Sequence, residues 1–271
     1  MQQIRVLVVE DSIFFRELLV KNLNKDPMIT VVAAARDPYE ARDAIIAYKP
    51  DVMTLDIEMP KMTGLEFLRK LMPQYPIPVI MVSSLSDKVF EAMSAGAVDF
   101  VAKPAYTDKA QLEEFIVREL PAKIKIASAA KLSNARRKKA GTVSPAGRTA
   151  KNRNPVIAIG ASTGGTEAIQ EVISGFGTDI PGVVIVQHMP PKFTELYANR
   201  LNDNCKVHVK EAKTGDRVQQ GHVLLAPGGN THMRLVEVAG QYQVEIKEGA
   251  KVNGHSPSVD VLFDSVATVA G

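Results

Sequence analysis

Residues 1–119 repeat one pattern five times: a short β-branched, apolar run followed by a longer amphipathic one. The short runs are IRVLVVE, ITVVAAA, VMTLD, PVIMVSS and DFVAK. The long runs are SIFFRELLVKNLNK, PYEARDAIIAY, GLEFLRKLM, DKVFEAMSAG and DKAQLEEFIVREL. In the first long run Phe15, Leu18, Leu19 and Leu23 share a helical face, and Gly96 is placed to end the fourth. Strands that are apolar almost throughout need cover on both faces, and alternating β–α crossovers supply it. The pattern therefore predicts an α/β fold whose first domain, residues 1–120, is a (βα)5 doubly wound parallel sheet. In such sheets the ligand site lies beyond the carboxyl ends of the strands.

Those ends carry a distinctive set of side chains. The first strand ends at Glu10-Asp11, the third at Asp56, the fourth at Ser83-Ser84 and the fifth at Lys103-Pro104. Carboxylates gathered at one edge repel each other unless a cation neutralises them. Hard oxygen ligands of that kind suit Mg²⁺, and a neighbouring lysine can offset the charge of a phosphoryl group. A single aspartate there would be read as a helix cap or a surface residue. The whole set, at matching strand ends, reads as a carboxylate equipped to accept a phosphoryl group.

VVEDS, LDIEMPKMTG, MVSS and FVAKP also resemble the receiver domain of two-component response regulators, over essentially all of residues 1–119. The resemblance implies that Asp56 is the phosphoacceptor, with a histidine kinase as donor. It implies that Mg²⁺ is held by Glu10, Asp11, Asp56 and the main chain of Glu58. It further implies that Ser83 and Lys103 contact the phosphoryl group, that Phe100 is the aromatic switch, and that the Lys103–Pro104 bond is cis.

The 271 residues leave room for a second domain. Between Glu119 and Glu167 there is no acidic residue, and the stretch is rich in Lys, Arg, Ser, Ala and Gly. Read as a nucleic-acid patch it lacks interleaved aromatics, so residues 121–154 are expected to be a basic, flexible linker with no nucleic-acid partner. A single cysteine, Cys205, precludes an internal disulfide and points to a reducing compartment. The start lacks the features of a signal peptide, and no apolar run reaches the roughly 18–20 residues that span a bilayer. A cytoplasmic protein without membrane insertion is expected.

Residues 155–271 are predicted to form a second α/β domain with a mostly parallel sheet. PVIAIG reads as a strand and TEAIQEVISGF as a helix with Ile169, Val172 and Ile173 on one side. Between them GASTGG puts Ser162 on a strand-to-helix bend. A P-loop would need a lysine that is absent, and a dinucleotide loop would need glycine where Ser162 stands. Gly160-x-Ser162-x-Gly164 fits the turn that exposes a nucleophilic serine, although a plain N-cap serine has the same appearance. The apolar run GVVIVQ ends at His188, one β–α unit later, so an imidazole at the same kind of strand end could serve Ser162 as base.

IGASTGG, VIVQHMPPKFT, LLAPGGNTHM and HSPSVDVLFDSVA resemble the chemotaxis protein-glutamate methylesterases. The resemblance implies a serine hydrolase with Ser162 as nucleophile, His188 as base and no cofactor at the hydrolase site. Its substrates would be glutamyl methyl esters on methyl-accepting chemotaxis receptors, with deamidation of receptor glutamines as a second activity. It also implies a receiver that restrains the esterase until phosphorylated, so removing residues 1–150 would raise basal activity. The family's third triad member, an aspartate in a TGMG-like segment, has no counterpart in residues 1–271. Asp260 and Asp264 do not match its position and are read as structural or surface residues. The chain is thus expected to be cut short and weak or inactive, its longer form being an esterase. The competing reading, a response regulator whose second half only binds a partner or DNA, is separated from it by Ser162→Ala.

Overall fold

The computed structural model describes residues 3–84, 88–104, 108–129 and 155–271. They fall into two compact units, Met1–Leu132 and Ser133–Gly271. Residues 130–154, most of the expected linker, lie outside the described residues.

The first unit contains β1 (Ile4–Val9), α1 (Ile13–Leu23), β2 (Ile29–Ala35), α2 (Pro38–Tyr48), β3 (Val52–Asp56) and α3 (Gly64–Leu71). It continues with β4 (Val79–Ser83), α4 (Lys88–Ser94), β5 (Asp99–Ala102), α5 (Lys109–Glu114) and α6 (Leu120–Ser128). The strands form a parallel sheet in the order β2-β1-β3-β4-β5. Every residue of β3 and β4 is buried, as a sheet covered on both faces requires. Local chemistry starts the helices: Ser12, Asp37 and Asp108 cap α1, α2 and α5, and Thr63 with Glu66 makes a capping box on α3. Gly96 has φ of 109°, the left-handed conformation expected just past a helix end.

Two expectations are corrected here. The helical run does not stop at residue 120. A π-helical turn, Phe115–Glu119, joins α5 to α6, and α6 buries Leu120, Pro121, Ile124 and Ala127. The wider turn changes the helical phase, so that Phe115, Ile116, Leu120, Ile124 and Ala127 all reach the same core cluster as Val6 and Val8. Residues 121–128 thus belong to the first unit and not to a linker. Second, the cis peptide among the described residues joins Ser256 to Pro257, so Lys103–Pro104 has the ordinary trans geometry.

The second unit contains β6 (Val156–Ala161), α7 (Gly165–Ser174), β7 (Gly182–Gln187), α8 (Phe193–Asn204), β8 (His208–Glu211) and β9 (His222–Leu225). A ribbon of β10 (Thr231–Val238) and β11 (Gln241–Glu248) follows, and then α9 (Val259–Ala270). The parallel sheet runs β6-β7-β9-β8, and β10 and β11 pair antiparallel. The ribbon turns at Ala239 and Gly240, both with positive φ (51° and 75°), as a two-residue hairpin demands. Val184, Val186 and Leu224 of the sheet, Met233 and Val244 of the ribbon, and Leu262 of α9 share one core. On α7, Ile169 and Ile173 are buried as expected, but Val172 is 49% exposed. It lies one residue from Ile173, about 100° around the helix, beyond the apolar stripe.

Candidate functional site

In the first unit, register brings the expected residues together. Val9 pairs with Leu55, Asp56 with Val82 and Ser83 with Ala102, so the strands end at one level. Glu10, Asp11 and Asp56 each offer an oxygen within 4.8 Å of the others. Glu10, Asp56 and Ser83 are almost fully buried. Lys103 Nζ lies 2.5 Å from Asp56 Oδ2, 3.0 Å from Glu10 Oε1 and 2.9 Å from Glu10 Oε2. The Glu58 amide donates to Asp56 Oδ1 at 3.2 Å. The Ser83 hydroxyl donates to the Ser84 carbonyl at 2.9 Å. Phe100 is buried edge-on to Phe90, ring centroids 6.2 Å apart.

The charges in this corner are unbalanced. Burial, then the Asp56 charge, push the Glu10 carboxyl up to about 7. Burial also raises Asp56, against the pull of Lys103. Burial works against the Lys103 ammonium, but bonds to Asp56 and Glu10 outweigh it and hold its value above normal. Both Glu10 oxygens rest on the one Lys103 ammonium, which Asp56 shares. An acidic cluster of three carboxylates short of positive charge fits a small hard cation such as Mg²⁺.

Gly64 completes this corner. A Cβ there would stand 1.9 Å from the Asp56 carbonyl oxygen, so only glycine lets α3 start against the end of β3.

In the second unit, β6 and β7 are parallel neighbours with Ala161 opposite Gln187. The next residue on each strand is Ser162 and His188. Their side chains meet at the carboxyl edge, His188 Nδ1 standing 3.3 Å from Ser162 Oγ. Ser162 is exposed and His188 half-buried, so a substrate can reach the pair.

The backbone differs in one respect from the serine turn that G-x-S-x-G suggests. Ser162 is not in the left-handed region; Gly164 is, with φ of 75°, and it serves as N-cap of α7. Gly160 answers to packing. A Cβ there would come within 2.3 Å of Val259 Cγ1, so glycine admits α9.

Several supporting residues carry no signal of their own in the sequence. The buried Gln187 amide donates to the carbonyls of Ser162 (3.0 Å) and His188 (3.2 Å), tying the two strand ends together. Gly165 leaves room for it: a Cβ would lie 2.0 Å from Gln187 Oε1. Tyr197, fully buried and kept protonated by that burial, donates to the Thr166 carbonyl at 2.6 Å and anchors the first turn of α7. His255 stacks on His188 with ring centroids 3.8 Å apart. The Asn253-Gly254 dipeptide beside it is the one legible clue, a turn signal. Asp260 accepts from Asn253 Nδ2 at 2.6 Å, and Asp264 is exposed on α9, in keeping with structural and surface roles.

Comparison with known proteins follows the same division. Residues 6–116 match the response regulator receiver domain and residues 157–271 match CheB methylesterase. A protein-glutamate methylesterase/protein-glutamine glutaminase 2 of Syntrophomonas wolfei is 56% identical over 271 residues, spanning 100% of this chain and 78% of that protein. A protein-glutamate methylesterase/protein-glutamine glutaminase of Syntrophotalea carbinolica is 52% identical over 281 residues, with the same coverage of 100% and 78%. One of Sulfurimonas denitrificans is 47% identical over 279 residues, covering 99% of this chain and 79% of that protein. No helix among the described residues is long and apolar enough to cross a membrane.

Proposed function

The chain belongs to the CheB methylesterase family and carries a response regulator receiver domain ahead of the esterase, and on that premise we propose that Ser162 and His188 perform the ester hydrolysis and Asp56 receives the regulating phosphoryl group. The protein is a phosphorylation-regulated protein-glutamate methylesterase and protein-glutamine glutaminase of chemotaxis.

The observation that carries the catalytic reading is the 3.3 Å approach of His188 Nδ1 to Ser162 Oγ across adjacent parallel strands. His188 takes the hydroxyl proton as Ser162 Oγ attacks the γ-carbonyl carbon of a receptor glutamyl methyl ester. Charge develops on the carbonyl oxygen beside the positive end of the α7 dipole. The C–O bond to methoxide then breaks, His188 returns the proton, and methanol leaves an acyl-serine. Water, deprotonated by His188, attacks that acyl carbon. The product is a receptor glutamate, and Ser162 recovers its proton. A glutamine side chain follows the same path with ammonia as leaving group. This hydrolase chemistry asks for no cofactor.

At the other site, Glu10, Asp11, Asp56 and the main chain of Glu58 would hold Mg²⁺, which when bound neutralises the incoming phosphoryl oxygens. An Asp56 carboxylate oxygen attacks the phosphorus of the kinase's phosphohistidine, the P–N bond breaks with the kinase imidazole leaving, and an acyl phosphate forms, while the Lys103 ammonium and the Ser83 hydroxyl hold the transferred group. A histidine kinase is the donor, and Phe100 is the side chain that reports the change to the surface.

Ser162→Ala and His188→Gln test the catalytic pair through methanol release from methylated receptors. Each is expected to lower kcat by about 10³-fold or more. Turnover near the wild-type rate in Ser162→Ala would overturn the assignment.

A further inference from the structure

The segment joining β11 to α9 lays a second imidazole on the first. Val252 and His255 exchange backbone hydrogen bonds of 3.0 and 3.1 Å. Asn253 and Gly254 between them both have positive φ, 51° and 82°. This is a tight turn of the kind Asn-Gly favours.

The turn is pinned from several sides. The Asn253 amide donates to Asp260 at the start of α9 (2.6 Å). Ser256 Oγ donates to the Thr231 carbonyl (3.1 Å). The buried His232 accepts from the Ser258 amide at Nδ1 (3.1 Å), and its Nε2 stands 2.9 Å from the Ala250 carbonyl. Nδ1 as acceptor leaves the proton on Nε2, so His232 clamps both ends of the segment.

Held in this way, the exposed His255 places its ring parallel to that of His188, with centroids 3.8 Å apart and 12° between the planes. The contact with Ser162 defines the position of one His188 ring atom. The ring plane depends on χ2, a soft torsion in histidine. A flat partner at van der Waals distance across one face restricts that torsion. We infer that His255 is a positioning residue of the esterase: it holds the His188 ring in the plane that aims Nδ1 at Ser162 Oγ. The inference rests on Ser162 and His188 being the catalytic pair.

The test compares His255→Ala with His255→Phe in the full chain, each checked for an unchanged melting temperature, using methanol release from methylated receptor. The Ala variant is expected to lose roughly 10- to 100-fold in kcat, the scale of a misaligned reacting pair, with KM changed by no more than about twofold. Phe keeps the flat face and should recover kcat to within about threefold. Asn253→Val, unfavourable at positive φ and lacking the amide that pins the turn to Asp260, should lower kcat as Ala does. Wild-type kcat in His255→Ala, beside inactive Ser162→Ala and His188→Gln, overturns the positioning role and leaves the catalytic pair standing. A loss that Phe does not recover overturns it too. An active Ser162→Ala overturns both readings.

Discussion

Glu10 shows what a buried residue contributes when its partners are incomplete. Its carboxyl titrates near 7 in the folded protein, against 4.5 ordinarily, because burial and the Asp56 charge disfavour ionisation. The folded state therefore binds more protons than the unfolded chain between about pH 4.5 and 7. Stability from this group is present at low pH and is lost as pH rises through the folded value. Chelator-treated protein should accordingly lose up to about 3 kcal/mol between pH 5 and 8 that Glu10→Gln does not lose. Thermal melts across that range check it, and parallel curves for the two proteins would refute it. Asp56, Lys103, Ser162 and His188 were legible as candidates because each ends a strand in the sequence pattern. Gln187 and His255 were not, since their roles depend on contacts with side chains distant in the chain.

Strands and helices are positioned here by glycines that perform unlike tasks. Gly164 takes a left-handed conformation with nothing within 4 Å of its missing Cβ, whereas Gly165 is crowded by Gln187 and Ala161. Gly164→Ala should therefore cost only about 1–2 kcal/mol, the strain of a left-handed L-residue. Gly165→Ala should also displace the Gln187 amide that ties Ser162 to His188. It is expected to destabilise by about 1–3 kcal/mol and to lower kcat by more than Gly164→Ala does. Denaturant unfolding and esterase rates on the two variants separate these effects, and equal rates would count against Gln187 as the tie. The sequence motif placed glycines around Ser162 correctly but could not distinguish conformational need from close approach. Gly160, read as part of a serine turn, proves to be the seat of α9.

At the scale of the whole molecule, a phosphoryl-accepting unit and a hydrolase unit share one chain. Modification at the first controls the second, so coupling and hydrolysis should be separable. A small phosphodonor such as phosphoramidate, with Mg²⁺, should raise the esterase rate by roughly 5- to 150-fold, the usual range for coupled sites. Asp56→Ala should show no such rise. Stimulation that persists in Asp56→Ala would place the phosphoryl group elsewhere.

Short-range chemistry in the chain was enough to define the five strands of the first unit, the helices that follow them, the helix end at Gly96 and the end of each strand. Hydrophobic periodicity and capping act over a few residues, so they can be read without a structure. What tertiary structure decided is who meets whom. The parallel register sets Ala161 opposite Gln187 and thereby Ser162 beside His188. The π-helical turn carries residues 120–128 into the first core. A turn near the end of the chain returns His255 to the edge of β7. These outcomes depend on hydrogen-bond register and packing between segments far apart in the chain, and no local run of residues contains that information.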